Sequence, residues 1–178
     1  LVGSEMCIRD RYTIAGQGTV WKEILETNDD LDAIFVPVGG GGLLAGVSAW
    51  IAQNNKKIKI YGVEVDDSAC LYEALKANKR VRLKSVGIFA DGVAVEQVGK
   101  NNFDVIKECI DGVITVTIDE VCAAVKDLFE DTRVMSEPAG AVALAGLKKY
   151  ASKKKKNLLA ISSGCLLYTS PSPRDSDT

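Results

Sequence analysis

Residues 32–47 read Asp32-Ala33-Ile34-Phe35-Val36-Pro37-Val38-Gly39-Gly40-Gly41-Gly42-Leu43-Leu44-Ala45-Gly46-Val47, and this order decides the fold. Ile34–Val38 is an apolar run of branched and aromatic residues, the composition of a buried strand. Four glycines stop it, and from Leu43 to Ile51 the apolar spacing suits a helix. The stretch therefore predicts strand, glycine loop, helix. Without a Cβ, glycine lets the backbone bend through positive φ and turn successive N–H groups towards one small anion, to which the following helix adds its positive end. A phosphate is the natural ligand of such a cradle. A flexible linker is the weaker reading, because linkers have polar flanks and these flanks are apolar. Gly40-Gly41-Gly42-Leu43-Leu44-Ala45 also satisfies the dinucleotide fingerprint G-x-G-x-x-G/A. Glu64 closes the next apolar run, where a ribose-binding acid would fall, so a nicotinamide-dinucleotide-binding Rossmann module is the alternative at this point.

On either side of this stretch, strands and helices alternate. Gln17–Leu25 has helical spacing through Val20, Ile24 and Leu25, and Asn28-Asp29-Asp30 ends it. Ile58–Val65 predicts a second strand, and Asp67 or Ser68 is placed to cap a helix carrying Leu71 and Leu75. Within Arg80–Glu96, Phe89-Ala90-Asp91-Gly92-Val93-Ala94-Val95 reads as a loop reaching towards the site. Phe103–Ile110 predicts a helix and Val113–Thr117 a short strand. Thr117-Ile118-Asp119-Glu120 has the form of a capping box for a helix through Val121, Ala124, Val125, Leu128 and Phe129, ending near Arg133. Pro138 suits the first position of a helix over Ala139–Tyr150, since its missing N–H is not needed there. The basic run Lys148, Lys149 and Lys153–Lys156 reads as a solvated helix end rather than an anion site. Leu158–Ser162 is the last strand. Near-continuous apolar strands alternating with helices imply an α/β fold: an open, mostly parallel, twisted sheet with helices on both faces.

The chain has 178 residues, 47% of them hydrophobic, and a net charge of −2, enough for one domain with a real core and no sign of nucleic acid or an anionic membrane as partner. No apolar run approaches the roughly 18 residues of a membrane span, so a soluble chain is expected. Cys7, Cys70, Cys109, Cys122 and Cys165 lack metal-ligand or disulfide-framework spacing, which suits free thiols in a reducing compartment. There is no histidine, and Ser-His-Asp and Cys-His mechanisms are excluded with it. Residues 1–11 and 165–178 show no clean period and resemble translated adapter sequence, so they are expected to be non-native and are set apart from residues 12–164.

Ligands of open α/β sheets sit beyond the carboxyl ends of the strands. Two polar features fall there: the glycine loop after Val38, and Ser162-Ser163-Gly164 after the last strand, where an ordinary turn and a mounted hydroxyl are equally good readings. Ser136-Glu137-Pro138 is a third candidate, an acid before a helix start that a cap would also explain.

These residues carry a resemblance. Ile14-Ala15-Gly16-Gln17-Gly18-Thr19, Val36–Leu43, Val63–Leu71, Phe89–Val95, Ala123–Asp131 and Glu137-Pro138-Ala139-Gly140-Ala141 resemble, in order, the biosynthetic threonine dehydratases (threonine ammonia-lyases). These are pyridoxal-phosphate enzymes of the tryptophan synthase β-like group, fold type II, and the likeness runs from about Tyr12 to Gly164. Several collinear motifs outweigh one fingerprint, which decides against the nicotinamide module. The resemblance implies pyridoxal 5′-phosphate as cofactor, its phosphate held by Gly39, Gly40, Gly41, Gly42 and Leu43, with Ser163 facing the pyridine nitrogen and Glu137 near the ring or the substrate. It implies L-threonine, or L-serine, as substrate, 2-oxobutanoate and ammonia as products in the first step towards isoleucine, a homo-oligomer, and a cytoplasmic or organellar enzyme. It further implies that the Schiff-base lysine belongs upstream of the glycine loop. No lysine here stands in that context, so the chain is expected to be an incomplete catalytic domain, inactive alone and with no catalytic residue present, Glu137 being an acid near the ring and not the base. After Ser163-Gly164 the family's Ala-Asn is replaced by Cys165-Leu166. A related racemase group holds a divalent metal near an acid equivalent to Glu64 and another six residues on; that second position is Cys70, so no metal site is expected.

Overall fold

The computed structural model describes residues 11–28, 30–54, 57–151 and 157–164. Four parallel strands, β1 (Ala33–Pro37), β2 (Lys59–Val65), β3 (Gly112–Val116) and β4 (Leu158–Ala160), form one sheet in the order β3-β2-β1-β4. β1 is therefore interior, with Phe35 paired to Tyr61 of β2 on one side and to Ala160 of β4 on the other. Every residue of β1 is buried, as its unbroken apolar composition requires. Pro37 is the last residue of the strand, and the ladder continues past it through the Val38 N–H, which donates to the Val63 carbonyl at 2.9 Å.

Alternation along β1 divides the core in two. Ile34, Val36 and Val38 face a layer built from α1 (Arg11–Gln17), α2 (Thr19–Thr27), α3 (Gly42–Asn54), α4 (Cys70–Lys76) and α5 (Lys100–Cys109), with Trp21, Leu44, Leu71 and Ile106 fully buried there. Ala33 and Phe35 face α6 (Ile118–Thr132) and α7 (Pro138–Tyr150). Fully burying each large apolar side chain is worth about 1.5–3 kcal/mol. On the α6–α7 side the rings of Phe35, Tyr61 and Tyr150 lie 4.9–5.6 Å apart, centre to centre.

The start and stop signals of α6 and α7 hold. Thr117 and Glu120 form the reciprocal capping box, α6 ends on Arg133 at φ 62°, and Pro138 opens α7. Lys148 and Lys149 do more than lie in solvent: they pair with Asp127 and Glu120 and so tie α7 to α6. Lys153–Lys156 lie outside the described residues, as do residues 1–10 and 165–178.

Three expectations are corrected. The helix expected over Gln17–Leu25 is α2 and starts two residues later, at Thr19, after α1 has ended at Gln17; Gly18 between them lies close on α3, where a Cβ would stand 3.1 Å from the Gly46 carbonyl oxygen. Neither Asp67 nor Ser68 caps α4. Asp66–Ser68 is a turn of 3-10 helix and the cap position is Ala69. The last strand stops at Ala160, two residues early, with Ile161 N–H still reaching the Phe35 carbonyl.

The α1–α3 contact rests on Gly46, where a Cβ would strike the Ile14 carbonyl oxygen and stand 2.7 Å from Gly18 N. Alanine at an open helix position gains about 1 kcal/mol over glycine. Gly46→Ala is expected instead to lower stability by about 1–3 kcal/mol through overpacking, read as a drop in the urea midpoint.

Candidate functional site

The carboxyl end of β1 opens into a cavity of about 460 Å³, within the usual range for small-molecule sites. Gly39–Leu43 form one wall, Asp91–Val93 a second, and Glu137 and Ser163 lie on the rim, so the three features singled out in the sequence share one space.

The glycine loop is tightly constrained. Gly41 has φ +87°, a left-handed conformation in which an L side chain is strained, and a Cβ there would stand 3.1 Å from both Ile106 and Val98. A Cβ on Gly39 would stand 3.1 Å from the Val93 Cα, which is how close the 3-10 turn Asp91–Val93 packs on the loop. The loop carbonyls are taken. Gly39 O faces the Cys70 thiol at 3.9 Å. Gly40 O accepts from Gly99 N–H at 3.1 Å and from Asn102 Nδ2 at 2.5 Å, and Gly41 O accepts from Ala45 N–H at 2.9 Å. Among the described residues, no acceptor engages the N–H groups of Gly39–Leu43.

On the rim, Ser163 follows β4 and Glu137 precedes α7. Glu137 makes no capping hydrogen bond; its Oε1 packs against Gly164, leaving no room for a Cβ there, and lies 3.7 Å from the Cβ position of Gly92. Buried Ser136 shares its hydroxyl proton between the Glu137 carbonyl at 3.0 Å and the Gly164 carbonyl at 3.1 Å, joining the two rim segments. Thr13 and Gln17, one turn apart on α1, also line the cavity. Their i,i+4 polar spacing was the signal that could have found them.

Glu64 is fully buried at the end of β2, and its two carboxylate oxygens each accept a 2.8 Å hydrogen bond, from Leu71 N–H and from Tyr72 N–H. It is the cap that α4 lacks from its own cap residue. Burial pushes its carboxyl up from 4.5 to about 7, against the pull of the two N–H groups and the Cys70 thiol, and burial likewise pushes the Cys70 thiol up to about 12. A carboxylate committed in this way is no ribose ligand. Among the described residues, no group of three or more histidine, cysteine or acidic side chains could hold a metal ion.

Comparison with known proteins agrees with this geometry. The sequence profile of the family described as pyridoxal-phosphate dependent enzyme matches residues 6–164. The chain belongs to that family. It is 56% identical over 140 residues to the biosynthetic L-threonine dehydratase IlvA of Pasteurella multocida, covering 79% of this chain and 27% of that protein. The solved structure of the processed form of threonine deaminase isoform 2 from Solanum lycopersicum superposes with a TM-score of 0.86 at 41% identity, over 90% of this chain and 48% of that one. Maize serine racemase superposes with a TM-score of 0.83 at 32% identity, over 90% of this chain and 50% of that one. The chain thus spans about a quarter of the length of the bacterial dehydratase and about half of each solved chain. The fold is the tryptophan synthase β-like one, and the Rossmann alternative has no support.

Glu64 carries a pH dependence whose sign follows from its raised carboxyl. The folded chain holds a proton that the unfolded chain releases above 4.5, so the site's contribution to stability is full below pH 4.5 and is lost as pH rises to about 7. At 1.36 kcal/mol per unit the loss is on the order of 3 kcal/mol. Urea midpoints measured from pH 4.5 to 8 should show this fall in the wild type. In Glu64→Gln the fall should be absent, from a lower starting stability, because the amide NH2 opposes one of the two N–H donors.

Proposed function

We propose that this chain forms the cofactor-phosphate side of the active site of a threonine ammonia-lyase, which converts L-threonine to 2-oxobutanoate and ammonia with pyridoxal 5′-phosphate. The observation that carries the proposal is the glycine loop: its carbonyls bond away within the protein, leaving a row of N–H groups and the first turn of α3 beside a cavity of about 460 Å³. That arrangement fits a phosphate ester, since backbone donors and a helix N-terminus favour a compact dianion. Identity of 56% over 140 residues to a biosynthetic dehydratase favours the lyase reaction.

In this reading Gly39, Gly40, Gly41, Gly42 and Leu43 hold the phosphate. The Ser163 hydroxyl would face the pyridine nitrogen, and as a neutral partner it would leave that nitrogen largely unprotonated. Glu137 bounds the space for ring or substrate, held by its packing on Gly164. Bound there, the cofactor supplies an electron sink for removal of the α-proton and loss of the β-hydroxyl. Asp91–Val93, pressed on Gly39, narrows the cavity and limits water at the ring. Residues 12–164 are part of a catalytic domain within a homo-oligomer, acting in the cytoplasm or an organelle. Among the described residues no helix is long and apolar enough to cross a membrane.

A protein carrying this chain at the full length of its relatives should release ketoacid from L-threonine when supplied with pyridoxal phosphate. Ser163→Ala should weaken cofactor affinity several-fold, the loss of one hydrogen bond worth about 0.5–1.5 kcal/mol. Racemised amino acid without ketoacid, or no dependence on the cofactor, would contradict the assignment.

A further inference from the structure

We infer that Asn102 is a positioning residue for phosphate binding: from α5 it sets the direction in which the glycine loop presents the Gly41 N–H. The inference rests on the reading of the loop as a phosphate cradle and assigns a device that makes it one. The peptide between Gly40 and Gly41 is trans and planar, so its C=O and N–H point in opposite directions. Fixing one fixes the other.

The Gly40 carbonyl is held on the side of the loop facing α5. Asn102 Nδ2 donates to it at 2.5 Å across 62 residues of sequence, and the Gly99 N–H donates at 3.1 Å. The Gly41 N–H on the same peptide is thereby turned away from α5. Asn102 is fully buried, and its Cβ lies 3.3 Å from the Cβ position of Gly41, between the loop and the helix. Asparagine is among the poorer helix formers and costly to bury, so its place in the first turn of α5 is explained by the non-local bond rather than by the helix.

The neighbouring peptides are more weakly held or held locally. Gly39 O has the thiol of Cys70 at 3.9 Å, and Gly41 O is engaged by Ala45 within the start of α3. Gly41 is also the only described glycine with positive φ. Because glycine crosses between positive and negative φ at little cost, a Gly40–Gly41 peptide that loses Asn102 and keeps only the Gly99 N–H bond is freer to rotate and offer its carbonyl to the anion, replacing attraction by repulsion. The side chain thus acts on the ligand through the peptide without touching it.

The test uses the full chain and two aldehyde-free probes that differ only in the phosphate, pyridoxine 5′-phosphate and pyridoxine, with affinities measured by calorimetry for wild type and Asn102→Leu. Leucine keeps the volume and removes the donor. Loss of the hydrogen bond should weaken pyridoxine 5′-phosphate roughly tenfold and leave pyridoxine unchanged. Asn102→Ser, polar but too short to reach the Gly40 carbonyl, should give the same pattern and serves if the leucine variant does not fold. Equal weakening of both probes, or of neither, would overturn the positioning role. If the wild type itself binds both probes alike, the phosphate reading of the loop fails, a result distinct from failure of Asn102 alone.

Discussion

The structure depends on how an interior strand is ended. β1 is buried on both faces and paired on both edges, so its continuation has to leave the sheet at the carboxyl end without abandoning polar backbone in a closed interior. The chain does this in one step, through Gly41 at φ +87°, and enters α3 immediately. Every carbonyl from Gly39 to Gly41 finds a donor within the protein, and the same loop lines the cavity at the strand end. The turn that ends the strand is therefore also a wall of the cavity.

The two layers of helices fix the position of that row. α3 packs on α1 through Gly46 and on α5 across Gly41, and both contacts are close because a Cβ is absent at the point of approach. From the other layer, α7 brings Glu137 to the rim, and the Ser136 hydroxyl fastens it to the turn that holds Ser163 and Gly164. A cavity framed by β1, α7 and the 3-10 turn Asp91–Val93 has walls from segments far apart in sequence.

Much of this was legible in the residues because the signals are local. The strand–glycine–helix run, the Thr117/Glu120 capping box, the stop at Arg133 and the start at Pro138 are each written within four or five residues, and the structure bears them out. Phe89–Val95 reads as a loop reaching towards the site, and its middle, Asp91–Val93, lines the cavity. The residues that escaped are those whose partners are distant. Asn102 fell just before the helix predicted at Phe103, and its role exists only across 62 positions. Glu64 reads as a ligand for ribose because it stands at a strand end. In the structure it caps α4, a task that local rules assigned to Asp67 or Ser68. The close approach of Gly18 to Gly46 on α3 was likewise invisible, as its partner lies 28 positions on in the sequence.

The central claim is that the N–H groups of Gly39–Leu43 form an anion site. Backbone amide NMR of the full chain during titration with inorganic phosphate tests it most directly. The account predicts saturable downfield shifts of the Gly39, Gly40, Gly41, Gly42 and Leu43 amides, with Asp91–Val93 following as cavity neighbours. Unmoved loop amides at saturating phosphate, or shifts confined to the lysine-bearing end of α7, would contradict it.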